Sequence, residues 1–476
     1  VLGCGVRPAR PRAHVAPPLR VGTSGDYAPF STHSPDGTPA GFDVEVARAY
    51  AAERGRDVVF VPFRWPELSA RLAAGDFDVV MSGVTVGPDR LVGGIFTATV
   101  ARSDAVLAVA SSTAPAGSAE AAARSFDRPG RRIAVNRGGH LEQVARARFP
   151  RATIVPVDDN TRLATMLEGP GNGTADAIVS DTLELASLQA RCPADASGDC
   201  LRVVARLSRD EKAYWLPMAN GALAADLDGW LLAREQSGWL PALRARVLAA
   251  AEPATLGAAQ ASLIARVRRR LSLRPAVAAA KRLRGLPIED REREAAVERD
   301  AAARATAVGL DATTFVAFVR AEIAAAKAIQ AATGKNVAAP HPLDDLRQAI
   351  NRLDTRIAFE LAALAPLDAS ESAIAAALAD DDVPGLPARL IRGLARALRA
   401  VETAPAALST GRAGAPLCML AANPTPWVSR EVVDAERNEP RNESLDGWVG
   451  GSTRVPTRRG NGLSTDARVA AGARHG

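Results

Sequence analysis

Residues Arg270 to Glu294 read RLSLRPAVAAAKRLRGLPIEDRERE, and the spacing of charge within that stretch decides how the second half of the chain folds. Arg270 and Lys281 stand eleven residues apart, close to three helical turns, which predicts that both side chains leave one face of one helix. Gly285-Leu286-Pro287 ends that helix. A second helix opens at Asp290, where the spacing of Asp290, Arg293 and Glu294 sets acid, cation and acid on neighbouring positions. Such an array suits a small hydroxylated dicarboxylate. Of the 59 basic residues only Lys212, Lys281, Lys327 and Lys335 are lysines. A lysine at 281 therefore asks for a reason, and a compact ammonium fits where arginine's planar fork does not.

Around this stretch, from Ser262 to Val401, the chain is rich in Ala, Leu and Arg, with helical periodicity broken at Gly285 to Pro287, Gly309, Gly334 to Pro342 and Pro366. Residues 262–402 are expected to form a separate all-α domain. Upstream the pattern differs. LRVGTS, DVVFVPF, FDVVMSGV, AVLAVA, RRIAVN, ATIVPV and DAIVSD are short β-branched runs that alternate with helical stretches such as FDVEVARAYAAERG, which predicts an α/β fold over residues 19–250. Residues 1–18 read as a leader remnant or linker, and 251–261 as a linker. Residues 403–476 are Gly-, Pro-, Asn- and Arg-rich without period, and are expected to be disordered.

A chain of 476 residues suits two or three domains. Its formal charge of +6 is too dilute for a nucleic-acid surface, and its basic residues do not interleave with aromatics. No run of eighteen apolar residues suggests a transmembrane helix. Cys192 and Cys200 bracket the polar loop PADASGD and suit a local disulfide in an exported protein, while Cys4 and Cys418 have no evident partner. His14, His33, His140, His341 and His475 show no metal-ligand spacing, so neither a metal nor another cofactor is expected. Val1-Leu2-Gly3-Cys4 is loosely similar to the end of a lipoprotein export signal, which would make Cys4 a lipid anchor in a periplasmic or secreted protein; the favoured alternative is an uncertain start to the sequence.

LRVGTSGDYAPF, GFDVEVARAY, FRWPELSARLAAGDFDVVMSGVTVGPDR and ADAIVSD follow in this order and resemble type 2 periplasmic solute-binding proteins. The resemblance implies two α/β lobes that close on a ligand, with two chain crossings between them. It makes Tyr27 and Trp65 cleft walls, Ser82 and Thr85 hydrogen-bond donors, and Arg90 the carboxylate-binding arginine. An arginine fork matches a carboxylate bidentately. The alternatives are core aromatics for Tyr27 and Trp65 and a surface ion pair for Arg90.

SGDYAPF, DRPGRRIAVNRGGHLE and EKAYWLP resemble cyclohexadienyl dehydratase, which converts prephenate to phenylpyruvate or arogenate to phenylalanine. Expelling hydroxide requires a general acid. The resemblance assigns it to Glu184, just past a strand end, where ligand groups gather in an open α/β sheet; enclosure in an apolar cleft would keep it protonated. Asp181 is either the residue that holds an α-amino group or a helix N-cap. Where the family has Asn-Pro-Gly-Gly-Thr-Asn-Glu, residues 136–142 read NRGGHLE, and Arg137 becomes a candidate for prephenate's second carboxylate.

RRRLSLRPAVAAAKRLRGLPIEDRERE, EIAAAKAIQ and LRQAINRLDTR resemble the secreted gamma class of all-helical chorismate mutases. The rearrangement of chorismate to prephenate needs no acid, base or covalent intermediate, so catalysis comes from folding the substrate and stabilising charge. The resemblance implies that Arg270, Arg293 and Arg347 hold carboxylates. Asp290 and Glu294 would engage the ring hydroxyl or orient the cations, while Lys281 and Gln330 donate to the ether oxygen. Ala326 stands where a small hydroxyl residue is expected, and Lys327 is expected at the surface. A homodimer through this domain is the candidate assembly. The two resemblances together imply consecutive reactions on chorismate and then prephenate or arogenate. The other reading is a non-catalytic amino-acid-binding protein of a transport system fused to a mutase or helical interaction domain.

Overall fold

A computed structural model describes residues 16–167, 174–189, 201–248, 256–335, 337, 339–379 and 386–404. The four cysteines and nearly all of the segments expected as leader and tail lie outside the described residues.

The apolar runs of the first half become strands. In the first lobe these are β1 (Leu19–Thr23), the short pair β2 (Thr32–His33) and β3 (Pro39–Ala40), β4 (Val58–Pro62), β5 (Val79–Val80) and β6 (Ile95–Ser103). The chain crosses at Asp104 into a second lobe of β7 (Ala105–Ala110), β8 (Arg132–Asn136), β9 (Thr153–Val157), β10 (Ala177–Asp181) and β11 (Leu201–Arg206). It then returns as β12 (Asp210–Leu216). The sheet orders are β4-β1-β5-β12-β6 and β11-β7-β10-β8-β9. In the first sheet β1 runs parallel to β4 and β5, and the returning β12 is antiparallel to β5 and β6. Strands β6, β11 and β12 were not among the β-branched runs singled out above.

Helices α1 (Phe42–Glu53), α2 (Leu68–Ala73) and α3 (Pro88–Gly93) belong to the first lobe and α4 (Ala119–Phe126), α5 (His140–Arg148) and α6 (Thr182–Gln189) to the second, followed by α7 (Gly221–Gln236) and α8 (Trp239–Val247). The segments that follow β1, β4 and β5 carry Tyr27, Trp65, and Ser82 with Thr85, and α6, which follows β10, carries Glu184; Tyr27 and Thr85 of the first lobe and Asp181 of the second meet at Lys212.

The second half is helical: α9 (Ala258–Ser272), α10 (Arg274–Leu283), α11 (Arg291–Val308), α12 (Ala312–Ala332), α13 (Leu343–Leu364), α14 (Glu371–Leu378) and α15 (Ala388–Arg399). Asp290 and Asp311 cap α11 and α12, accepting from Arg293 N at 2.9 Å and Thr314 N at 2.8 Å. Two expectations need correction. Arg270 and Lys281 do not share one helix: α9 ends at Ser272 and α10 starts at Arg274, because Pro275 has no N–H and its ring crowds the carbonyl a turn earlier. Helix α9 also begins at Ala258, inside the stretch read as linker.

The helices do not stand apart from the first lobe either. One face buries Leu263, Leu271, Phe315, Phe318, Ile329 and Leu361 in a core of their own. Another face, with Leu273, Val277, Leu346 and Ile350, joins the cluster that holds Leu91 and Trp215 of the first lobe. Helical periodicity marks both faces as apolar without saying which core receives them. Buried charge completes the junction. Asp228 of α7 takes Arg266 and Arg356, each at 2.7 Å, and accepts Ala98 N at 2.6 Å. Glu211 of β12 takes Arg268 at 3.0 Å and Arg269 at 3.2 Å.

Asp228→Ala would leave Arg266 buried without one of its two carboxylates, and is expected to cost about 3 kcal/mol. Urea unfolding reads this; a loss below about 1 kcal/mol, the scale of a surface pair, contradicts the assigned role.

Candidate active sites

The first site lies among the helices. Arg270 of α9, Lys281 of α10 and Gln330 of α12 line a cavity of about 130 Å³. Asp290, Arg293 and Glu294 at the start of α11 and Arg347 of α13 complete the same wall, so the structure brings all seven residues expected in the helical site to one place. Breaking the helix at Leu273 leaves Arg270 and Lys281 facing this common space.

The local chemistry is net positive. Arg270 is 2% exposed and held by Asp354, and by Glu322 at 3.4 Å, while its Nη1 has no hydrogen-bond partner. Lys281 donates to Pro287 O and Ile288 O, both at 3.1 Å, which fixes the ammonium against the loop leading to Asp290. Burial pulls its pKa below the usual lysine range, helped by Arg347 and Arg274 and opposed by Asp290 and Glu294. Gln330 is buried with Oε1 unpartnered. Arg347 bonds Asp344 at 3.3 Å. Lys327 is not a plain surface residue: it lines the cavity and pairs with Glu294 at 3.1 Å. The sequence reading also missed Arg274, Asn351 and Asp354, which line the cavity, and Glu322 behind Arg270. Asn351 sits one helical turn from Arg347 on α13, a spacing that could have flagged it, whereas Arg274 follows Arg270 across the break between α9 and α10.

The second site is the cleft between the lobes. Tyr27 stands edge-on to Trp65, ring centroids 5.6 Å apart, and stacks on Phe30. Gly83 and Gly138 permit this enclosure: both hold positive φ, and a Cβ would come within 2.6 Å of the Tyr27 ring at Gly83 and 2.7 Å of Pro66 at Gly138. Lys212 of β12 reaches across to Asp181 Oδ2 at 3.0 Å and also donates to Thr85 Oγ1 at 2.8 Å and Tyr27 OH at 3.1 Å. Tyr27 OH donates to the same Asp181 oxygen. Asp181 Oδ1 accepts Leu183 N and Glu184 N, each at 2.9 Å. Asp181 is thus both the cap of α6 and the partner of an ammonium, and that ammonium belongs to the protein itself. Sequence reasoning quoted Lys212 within EKAYWLP and gave it no role.

Glu184 is 3% exposed; Ser180 Oγ donates to Oε2 at 2.6 Å and Asn160 Nδ2 to Oε1. Burial and the negative charge of Asp181 hold its carboxyl well above the usual range, against Ser180 and Lys212. Asn160 Oδ1 is buried without a partner, so turning the amide over would give a protonated carboxyl an acceptor. Ser82 Oγ accepts from Ser24 N at 3.0 Å. Arg90 Nη1 donates to Thr85 O at 2.8 Å and its guanidinium lies over Trp215. Arg90 forms no ion pair among the described residues, and burial pushes its pKa down to about 10. Arg137 is exposed and pairs with Asp158 at 2.5 Å, so its guanidinium already holds a carboxylate of the protein. His140 bonds Asp210 at 3.0 Å. Among the described residues no cluster could hold a metal, and no helix is long and apolar enough to cross a membrane.

Residues 19–250 match the bacterial extracellular solute-binding proteins of family 3, and residues 259–331 match chorismate mutase type II. The chain belongs to that solute-binding family and carries a chorismate mutase domain behind it. Within the family it is 34% identical over 223 residues to cyclohexadienyl dehydratase of Pseudomonas aeruginosa, covering 47% of this chain and 79% of that protein. It is 36% identical over 166 residues to a probable amino-acid ABC transporter-binding protein of Haemophilus influenzae, covering 35% of this chain and 60% of the relative. A solved ancestral amino-acid-binding protein, described as a precursor of cyclohexadienyl dehydratase, is 28% identical with a TM-score of 0.43, covering 48% of this chain and 95% of that one.

The raised pKa of Glu184 means that its carboxyl keeps its proton as pH rises through the ordinary carboxylate range and loses it only above. Infrared spectra just above that range should show a protonated-carboxyl band that Glu184→Gln removes and alkali abolishes. Identical spectra for wild type and variant would contradict the assignment.

Proposed function

We propose that the chain catalyses two consecutive reactions, chorismate to prephenate in the helical cavity and prephenate to phenylpyruvate in the cleft, as an exported enzyme of the periplasm. The observation that carries the first step is the net-positive cavity where Lys281 and Gln330 stand with Arg270, Arg293 and Arg347. The guanidiniums hold the two carboxylates and fold the substrate. Lys281 and Gln330 meet the charge that gathers on the ether oxygen as its bond to carbon breaks.

In the cleft, Glu184 gives its proton to the ring hydroxyl, which departs as water with the electrons of its carbon–oxygen bond. The electrons of the bond to the ring carboxylate flow into the ring, carbon dioxide leaves, and the ring becomes aromatic. Solvent reprotonates Glu184. Asp181 argues for prephenate over arogenate, since Lys212, Tyr27 and two backbone N–H groups already occupy its oxygens. A substrate ammonium would have to displace Lys212. The same arrangement speaks against capture of an amino acid for transport, a reading otherwise favoured by the similarity to a binding protein and by the engagement of Arg137 with Asp158.

A time course from chorismate at near-neutral pH tests both steps. Wild type should make prephenate and then phenylpyruvate. Lys281→Ala should slow the first step a hundredfold or more, about 3 kcal/mol, by analogy with loss of one oxyanion donor. Glu184→Gln should leave the first step intact and let prephenate accumulate, the second falling by about two orders of magnitude. Mutase activity within threefold of wild type in the first variant, or unchanged phenylpyruvate formation in the second, would refute the respective role.

A further inference from the structure

Arg274 is a buried guanidinium that no carboxylate of the fold contacts directly among the described residues. It is the first residue of α10, 9% exposed, and lines the helical cavity together with Arg270, Lys281 and Gln330. Its Nε is buried without a hydrogen-bond partner, and it forms no ion pair among the described residues. The two carboxylates that act on it do so at a distance. Asp354 and Glu322 are both bound to Arg270, whose own positive charge adds to the burden. Burial, with Arg270 beside it, drives the pKa of Arg274 down to about 9 against the more distant pull of Asp354 and Glu322, the response of a cation short of solvent. Ala326, on the facing helix α12, contributes no donor to this cavity.

A buried guanidinium left without a partner is costly, and a structure keeps one where a ligand completes it. We infer that Arg274 is a carboxylate-binding residue of the helical cavity, taking one of the two carboxylates of a dianionic ligand while Arg293 and Arg347 serve the other. The inference rests on the mutase reading for the identity of that ligand, but not for the charge it carries. Arginine suits the role because its planar fork can give a carboxylate two parallel N–H donors without further ordering. Lysine at this position would supply charge without the fork.

The test uses the full chain and a rigid oxabicyclic dicarboxylate that mimics the folded, rearranging substrate, together with its two monomethyl esters. Binding is measured by calorimetry, and kcat and KM are measured with chorismate. Arg274→Met keeps the buried stem and removes the fork. It should weaken the diacid and one monoester by about tenfold to a hundredfold, as expected for loss of a hydrogen bond to a charged group. The other monoester, already lacking the carboxylate that Arg274 holds, should bind within twofold of its wild-type affinity. Arg274→Lys should recover part of the loss. A general structural defect would weaken all three ligands alike, and that result, or unchanged binding of all three, overturns the inference. If wild type binds the diacid with this pattern but does not convert chorismate, the mutase reading falls and the role of Arg274 stands.

Discussion

The ion pair between Lys212 and Asp181 sets the balance of charge between the two lobes. Its partners are 1% and 0% exposed, so both charges have left water, and either alone would be costly to keep there. Lys212 comes from the strand that returns to the first sheet and Asp181 from the end of a strand in the second, so the pair also ties one lobe to the other. Tyr27 OH and Thr85 Oγ1 meet the same ammonium. The pair leaves Glu184, one turn along, beside a negative charge already balanced on its other side. A carboxyl in that setting is desolvated enough to hold its proton and close enough to Asp181 to resist ionising.

The same strand links the cleft to the helices. Side chains of successive strand residues point to opposite faces. Lys212 therefore enters the cleft while Glu211 turns the other way, to Arg268 and Arg269 of α9. On α9 the next residue, Arg270, enters the helical cavity. Two adjacent pairs, Glu211 with Lys212 and Arg269 with Arg270, thus connect the sites through one buried contact. Arg352 adds a second connection, bonding the carbonyls of Leu91 and Val92 just after Arg90. The helical half is built onto the first lobe, and the apolar faces of α10 and α13 belong to its core.

Much of this was legible in the residues themselves. Alternating β-branched runs and helical stretches marked the α/β half, and charge spacing over Arg270 to Glu294 marked a shared pocket even though Pro275 splits the helix that was expected. The scarcity of lysine was a better signal than its first use suggested: Lys212, Lys281 and Lys327 all sit in one site or the other. What the sequence could not show is pairing between distant segments. Nothing in NRGGHLE says that Arg137 finds Asp158, nor that Asn160 lies against Glu184 across 24 residues. Arg274 looked like one more arginine in an arginine-rich helix. Only the cavity distinguishes it from Arg282 on the same helix, which bonds loop carbonyls at the surface.

If Lys212 fills the position of a ligand's ammonium, the cleft should be closed to free amino acids and open to anions without an amine. Calorimetric titration of the full chain bearing Glu184→Gln, which arrests turnover, tests this with arginine, phenylalanine and arogenate on one side and prephenate on the other. The account predicts binding of prephenate and no measurable heat with the three amines. Tight binding of any of those amines, with none of prephenate, would contradict it and make the cleft that of an amino-acid-binding protein.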